Sequence, residues 1–239
     1  MKGFVVAIQF LTRLPTPKLT VSAEEFAASM RWFPAVGLVV GLLIVAAAWA
    51  GSWIDLWVAA LLALVAWVFV TGALHLDGLC DLADAGGAAH KGRDRVLAVL
   101  ADPHVGGFGV VAVALQLAAK LVLLHACLVA GVCSVLPLIP FAARIGPLVW
   151  TLRLPPLHEG LAARFRSAVR PADIAWWSVA LLIAASWAPA LLVTPLIVIG
   201  WGVHVKRTLG GISGDGHGAG IELCETALLL AVAVGAALS

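Results

Sequence analysis

The chain has 239 residues, of which 62% are hydrophobic and only 12% are charged, and its formal net charge at pH 7 is +2. A soluble domain carries about 25% charged residues, so this composition excludes an ordinary soluble protein and indicates a polytopic membrane protein. The small net charge and the absence of dense Lys or Arg runs argue against a nucleic-acid partner. No polar linker divides the chain, so we expect one membrane-embedded catalytic domain over residues 1–239.

The N-terminal stretch MKGFVVAIQFLTRLPTP contains an apolar segment from Phe4 to Leu11. This segment is too short to span a membrane, and no small-residue cleavage site follows it. We therefore expect it to be retained and to lie near the membrane interface.

Longer apolar segments follow, each near the length needed to cross a hydrocarbon core of about 30 Å. The apolar stretch from Ile174 to Val205 is too long for one untilted span, and Trp187–Pro189 near its middle predicts two short helices joined by a tight turn. The sequence thus predicts an all-α fold with about seven transmembrane helices, the fifth and sixth being short. The other five predicted segments are Pro34–Trp53, Leu56–Leu74, Phe108–Cys127, Leu128–Val149 and Gly220–Leu238.

The charges support this count of seven. Thirteen of the fifteen Lys and Arg residues fall at the N-terminus or in the connections 76–107, 150–173 and 206–219, which seven spans place on one side. The positive-inside rule makes that side cytoplasmic, and we assume the inner membrane of a prokaryote. Lys120 and Arg144 lie inside predicted spans, where they either snorkel or pair, or line an internal polar cavity.

An acidic motif, HLDGLCDLADAGG, follows the second predicted span. On a continuing helix Asp77, Asp81 and Asp84 would share one face, and like charges at that spacing are destabilising without a partner. Converging carboxylates near a membrane surface suit Mg²⁺ shared with substrate phosphates. The alternative is three solvated aspartates at a helix end, with His75 as a polar interface residue.

The next stretch offers groups that could bind phosphate. Arg93 and Arg95 could clamp phosphate oxygens, and Asp94 and Asp102 could extend the acidic site. The glycines at 106, 107 and 109 open the third span, where backbone N–H groups and the helix dipole favour an anion.

A second polar cluster, KRTLGGISGDGHGAGIELCE, covers residues 206–225. Its glycines, Gly210 and Gly211 among them, allow the backbone to approach a phosphate closely, and Lys206 and Arg207 flank them. Glu222 and Glu225 lie at the start of the last span, where carboxylates are costly unless they face a polar interior. The alternative is a glycine linker followed by glutamates that the helix dipole favours.

Taken together, these clusters indicate metal-dependent transfer of a phosphoryl-linked group on the cytoplasmic face. Mg²⁺ would bridge carboxylates and a diphosphate, basic side chains would bind the outer oxygens, and a carboxylate would accept a proton from a hydroxyl nucleophile.

The segments GALHLDGLCDLADAGG, RDRVLAVLADPHVGGFGV and KRTLGGISGDGHGAGIELCE, preceded by FLTRLPTP and RWFPAVGLVVG, resemble the cobalamin 5'-phosphate synthase family. The resemblance runs nearly the whole length in the same order. It implies a membrane enzyme that uses Mg²⁺ and joins α-ribazole, or its 5'-phosphate, to the cobinamide-linked phosphoryl group of adenosylcobinamide-GDP with release of GMP.

The resemblance also implies roles for individual residues. Metal binding is carried over to Asp77, Asp81 and Asp84. His104 and His217 depart from the usual family pattern, which bears on substrate detail. The catalytic candidates are His75, Asp215, Glu222 and Glu225, and the substrate-binding candidates are Arg93, Asp94, Arg95, Asp102, His104, Lys206, Arg207, Gly210 and Gly211.

Two other functions remain open at the level of sequence. A CDP-alcohol phosphotransferase-like enzyme also places aspartates over a diphosphate, but DGLCDLAD in this chain lacks the arginine of that enzyme's DG-x-x-A-R signature. A cation transporter would place its polar residues at the bilayer midplane and show internal repeats, which we do not see. The oligomeric state stays open, and a homo-oligomer is compatible with the sequence. The four cysteines show no CxxC pairing and are expected to be small buried hydrophobes.

Overall fold

A computed structural model describes residues 2–157 and 161–238, so residues 158–160 of the predicted connection 150–173 lie outside the described residues. The described residues form α-helices and short 3₁₀ turns, with one isolated β-bridge between Pro156 and Ile212, which confirms the all-α class. The helices are α1 (Lys2–Leu11), α2 (Ala23–Ala28), α3 (Phe33–Ser52), α4 (Leu56–Thr71), α5 (Leu74–Gly87), α6 (Arg93–Leu100), α7 (Gly107–Val129), α8 (Leu138–Ala143), α9 (Gly146–Arg153), α10 (Leu161–Ala168), α11 (Pro171–Trp187), α12 (Thr194–Thr208) and α13 (Gly214–Leu238).

Five helical segments of the described chain are long and apolar enough to cross a membrane. A sixth arises if the bent pair α4 and α5 forms one span, and α11 is a shorter apolar helix. Every one of the seven predicted segments therefore corresponds to an apolar helix or helix pair. The protein is an integral membrane protein. The five long segments are Ala23–Ser52, Gly107–Val129, Cys133–Arg153, Pro189–Thr208 and Gly214–Leu238.

The break predicted inside Ile174–Val205 is confirmed. Helix α11 ends at Trp187, a 3₁₀ turn covers Pro189–Val193, and α12 starts at Thr194. Proline fixes its own φ and restrains the residue before it, so Pro189 stops α11 at that point.

The acidic motif does not continue the second span. Helices α4 and α5 meet at an angle of 86°, and the turn is made by Gly72 and Ala73, both with positive φ near 60°. The Gly72 N–H donates to the carbonyls of Phe69 and Val68, which closes the end of α4. Helix α5 therefore runs nearly perpendicular to α4, and its aspartates lie on a helix of their own.

Helix α13 crosses α5 at very short range because glycines stand at the contact. A Cβ on Gly78 would lie 2.8 Å from the Asp215 Cα, and a Cβ on Gly218 would lie 3.3 Å from the His75 Cα. Contacts below 3.0 Å leave no room for a side chain at Gly78. This crossing brings the acidic motif of α5 against the start of α13, although the two are far apart in sequence.

Candidate active site

The crossing of α5 and α13 gathers the central carboxylates. Asp77 and Asp81 lie one turn apart on α5, and Asp215 lies in the first turn of α13. The negative charges of Asp77, Asp215 and Asp84 all act on the half-buried Asp81 carboxylate. Like charges gathered in this way repel one another, so the arrangement favours a cationic partner.

Asp84 has a different environment from Asp77 and Asp81. Its Oδ2 accepts the Gly106 N–H at 2.7 Å, and its Oδ1 accepts the Gly109 N–H at 2.9 Å. The anion expected at the glycine-rich start of α7 is therefore the Asp84 carboxylate itself, which uses the unpaired N–H groups of the helix end. Both oxygens are engaged in holding α5 to α7.

The donor types at this crossing suit Mg²⁺, although the described residues contain no group of three or more His, Cys, Asp or Glu side chains placed to hold a metal ion. Mg²⁺ is usually bound through one or two carboxylates together with substrate phosphates, so a larger protein cage is not required. Asp77 and Asp81 fit that role, since their oxygens form no ion pair with a described basic residue. The predicted set Asp77, Asp81 and Asp84 stays a prediction.

Glu222 and Glu225 belong to a buried network of four charges. Lys120 Nζ lies 2.6 Å from an oxygen of each glutamate, and Arg144 Nη1 lies 2.8 Å from Glu225 Oε1. All four side chains are buried, and Lys120 also lies 4.2 Å from the centroid of the Trp67 ring. The pairing expected as one alternative for Lys120 and Arg144 is therefore confirmed, and the two cations balance the two carboxylates.

His75 lies between this network and the acidic crossing. Its Nδ1 is 3.5 Å from Arg144 Nη2, and its Nε2 has no hydrogen-bond partner among the described residues. His75 thus links the predicted metal-binding motif to the buried glutamates, since it lies two residues from Asp77 and contacts the cation that pairs with Glu225.

The loop that contains Gly210 and Gly211 leads into the start of α13, and Arg93 of α6 holds it in place. Arg93 Nη2 donates to the Leu209 carbonyl at 3.0 Å, and Gly210 adopts a φ of +81°. A Cβ on Gly211 would lie 2.7 Å from the Pro155 carbonyl oxygen, because Ile212 pairs with the segment 155–157. The need for glycine at 211 is therefore explained by contact with the protein's own backbone.

The other predicted substrate-binding residues are exposed. Asp102 and His104 pair with each other at 2.6 Å, and the hydrogen bond from His104 holds the pKa of Asp102 below its usual range. Neither lines the cavity described next. The remaining exposed members are Asp94, Arg95, Lys206 and Arg207.

An apolar cavity of about 210 Å³ adjoins the acidic crossing. Its wall includes Asp77 and Asp215, so the carboxylates face an apolar space. Its aromatic lining was not predicted from the sequence. The one local signal was Phe165, an aromatic residue that lies between Arg164 and Arg166. The lining residues are Phe10, Leu11, Met30, Phe33, Leu74, His75, Asp77, Gly78, Pro147, Phe165, Gly214, Asp215, His217, Gly218 and Ile221.

Comparison with known proteins gives a consistent result. The family model described as cobalamin-5-phosphate synthase matches residues 3–233. A protein of Novosphingobium aromaticivorans named adenosylcobinamide-GDP ribazoletransferase is 66% identical over 98% of this chain and 97% of its own length. Proteins with the same name from Laribacter hongkongensis and Thiobacillus denitrificans are 53% and 46% identical, covering 98% and 100% of this chain and 97% and 98% of their own lengths. No solved structure matches the chain. The match supports the family resemblance over the phosphotransferase and transporter alternatives.

Proposed function

The chain belongs to the cobalamin-5-phosphate synthase family, and we propose that it transfers the adenosylcobinamide-phosphate group of adenosylcobinamide-GDP to α-ribazole or its 5'-phosphate. GMP is released, and adenosylcobalamin or its 5'-phosphate is formed. The observation that carries this proposal is the crossing of α5 and α13, where Asp77 and Asp215 face a cavity.

Each residue at the crossing has a distinct task in the proposed reaction. A ribazole hydroxyl oxygen attacks the cobinamide-linked phosphorus, its bond to phosphorus forms, and the bond to the GMP oxygen breaks. Asp215, in the first turn of α13, accepts the hydroxyl proton. Arg95, Lys206 and Arg207 are exposed, and in this proposal they bind the outer diphosphate oxygens. Arg93 positions the loop before α13 through the Leu209 carbonyl.

Asp77 and Asp81 are the residues that would hold Mg²⁺. When bound, the ion would neutralise diphosphate oxygens and stabilise the negative charge that develops on the leaving GMP. Asp84 is assigned a structural task, because both of its oxygens accept N–H groups of α7. His75, Glu222 and Glu225 form the buried support behind the crossing.

The charge pattern supports a cytoplasmic active site in a prokaryotic inner membrane. The acidic crossing, Arg93, Arg95, Lys206 and Arg207 all belong to the connections that carry the excess of Lys and Arg. Water-soluble ribazole and GMP would then enter and leave on that side.

The deciding experiment uses purified protein in lipid vesicles with adenosylcobinamide-GDP and α-ribazole. We expect release of GMP and formation of a cobalamin product when Mg²⁺ is present, and loss of both when the ion is chelated. Asp81→Asn should lose turnover and remain folded. The proposed reaction is wrong if folded wild-type protein releases no GMP, and the metal assignment is wrong if Asp81→Asn keeps full activity.

A further inference from the structure

The cavity at the acidic crossing has one aromatic side and one polar side. Phe10, Phe33 and Phe165 contact one another with ring centroids 5.8 to 6.0 Å apart and form the aromatic side. Two imidazoles, those of His75 and His217, stand in the lining together with Asp77 and Asp215. A ligand in this space would therefore contact aromatic rings, imidazoles and carboxylates at once.

Both imidazoles are buried and incompletely hydrogen-bonded. His75 is 3% exposed and His217 is 8% exposed, and the described residues supply no partner to His75 Nε2 or to His217 Nδ1. Nearly all buried polar atoms in native proteins have a partner, so an unpartnered nitrogen on each of two residues that line one cavity points to a ligand with polar atoms.

The neighbours of each ring determine which nitrogen carries the proton. The Arg144 guanidinium can only donate, so it favours the lone pair on His75 Nδ1 and a proton on Nε2. The Thr151 hydroxyl lies 3.3 Å from His217 Nε2 and 3.6 Å from the Met30 sulfur. Nitrogen is the stronger acceptor of the two, which leaves the His217 proton on Nδ1. Both unpartnered nitrogens are then N–H donors and require an acceptor on the ligand.

The volume of the cavity limits what it can hold. A cavity of about 150 Å³ lined by apolar side chains accommodates benzene, and drug-sized ligands occupy about 300 Å³ or more. A space of about 210 Å³ therefore suits a flat bicyclic aromatic ring. A corrin macrocycle is far too large for it.

We propose that this cavity binds the benzimidazole base of the ribazole, and that His217 Nδ1–H donates to the free ring nitrogen of that base. This inference rests on the proposed function. Phe10, Phe33 and Phe165 contact the base, and the ribose then lies toward Asp77 and Asp215, which share the cavity wall. His217 is thus a specificity residue that selects a base with an acceptor nitrogen and a bicyclic size.

The test compares two ligands that differ in one atom. Ribazole and its indole analogue, in which a C–H replaces the free ring nitrogen, are titrated into protein in lipid nanodiscs by calorimetry. Wild-type protein should bind ribazole about tenfold more tightly, since the analogue leaves the buried N–H without an acceptor. His217→Phe should bind both ligands equally, and His217→Asn, which keeps a donor near the Nδ1 position, should retain part of the preference.

Two further variants control for folding and for location. His125→Phe changes an imidazole that stacks on Trp57 with ring centroids 3.7 Å apart, outside the cavity lining, and should keep the wild-type preference. Leu74→Trp enlarges a half-exposed wall residue and should weaken the binding of both ligands at least tenfold.

The outcomes separate this inference from the proposed function. Suppose that wild-type protein catalyses transfer. If His217→Phe then still prefers ribazole to its analogue, or if Leu74→Trp binds ribazole as tightly as the wild type, the base lies elsewhere and only the inference is overturned. If wild-type protein neither releases GMP nor binds ribazole, both fall. Should His217→Phe fail to fold, equal binding of the two ligands to wild-type protein would still overturn the inference.

Discussion

Asp81 and Asp84 lie three residues apart on α5 and have different partners. Asp84 receives two backbone N–H groups from the start of α7, at 2.7 and 2.9 Å. Asp81 is surrounded by the charges of Asp77, Asp215 and Asp84. One carboxylate therefore stabilises the fold, and the other carries unfavourable charge that a ligand could relieve.

Substitution with asparagine should separate these two roles. In Asp84→Asn an amide NH₂ replaces one carboxylate oxygen, so two hydrogen-bond donors face each other and one backbone N–H of α7 loses its acceptor. We expect a loss of about 2 kcal/mol in the free energy of unfolding. Asp81→Asn removes a repelling charge, so its thermal midpoint in detergent should equal or exceed that of the wild type while turnover is lost. Equal stability of Asp84→Asn and the wild type would contradict the structural role.

The sequence predicted a helix through Asp77, Asp81 and Asp84, and α5 covers all three, yet the sequence could not identify the partner of Asp84. The motif spacing predicts which residues share a face of α5. The glycines at 106 and 109 were expected to bind an anion, but the sequence gives no reason why that anion is Asp84 of the same chain. His217 was likewise unrecognisable as a cavity residue, because its partner Thr151 is distant in sequence.

At the scale of helices, α7 and α13 are joined by buried charges. Lys120 on α7 pairs with Glu222 and Glu225 on α13, and Arg144 completes the balance. The sequence showed that each of these charges is costly inside a span, and this cost is why pairing was one expected outcome. Which cation meets which carboxylate depends on how the helices are arranged, so the sequence could not decide it.

Breaking this balance should destabilise the protein and restoring it should recover stability. Lys120→Met leaves two buried carboxylates with one cation, and we expect a loss of about 3–5 kcal/mol. The double variant Lys120→Met with Glu222→Gln again has equal numbers of charges and should be more stable than Lys120→Met alone. A thermal-unfolding double-mutant cycle in detergent measures this coupling. Additive losses in the double variant would show that the charges act independently.

Helix α3 approaches α8 through glycine. A Cβ on Gly37 would overlap the backbone carbonyl of Pro140, whereas one on Gly200 of α12 would meet nothing within 4 Å. Gly37→Ala should therefore lower the thermal midpoint in detergent and Gly200→Ala should leave it unchanged or raised, since alanine is the better helix former. Equal midpoints for the two variants would mean that α3 and α8 separate at no cost.

The bend between α4 and α5 shows a limit of helix prediction. Glycine at 72 is compatible with a positive φ, but alanine at 73 has a φ of 58°, where alanine is rarely found. The apolar run and the acidic motif therefore look continuous in sequence, and only tertiary contacts turn the chain by 86°. By contrast, Pro189 marked the end of α11 correctly because proline acts locally.

For the molecule as a whole, apolar composition predicted the helices and did not predict their burial. In Cys133–Arg153 78% of the most apolar window is buried, against 22% in Gly107–Val129, although both segments are strongly apolar. Lipid tails and a protein interior are similarly apolar, so composition cannot tell a central helix from a lipid-facing one. Sidedness is predicted by the charge asymmetry instead.

The number of crossings determines on which sides the two ends of the chain lie. Helix α11 is short, but Trp176, Leu182 and Ile183 are 61 to 75% exposed on it, which suits contact with lipid. If α11 crosses, the chain crosses seven times and its ends lie on opposite sides. If α11 only lay in the interface, six crossings would place both ends in the cytoplasm, but the start of α13 would then lie on the side opposite α5, against the contact of Gly78 with Asp215.

Labelling of single cysteines with a membrane-impermeant maleimide in spheroplasts decides between these arrangements. Cys133→Ser is the background, because Cys133 is the one native cysteine that is not buried. Seven crossings predict that Ser52→Cys and Leu238→Cys are labelled from outside and that Arg95→Cys is labelled only after lysis. Protection of Leu238→Cys together with labelling of Ser52→Cys would mean an even number of crossings. Labelling of Arg95→Cys from outside would reverse the orientation and with it the cytoplasmic placement of the active site.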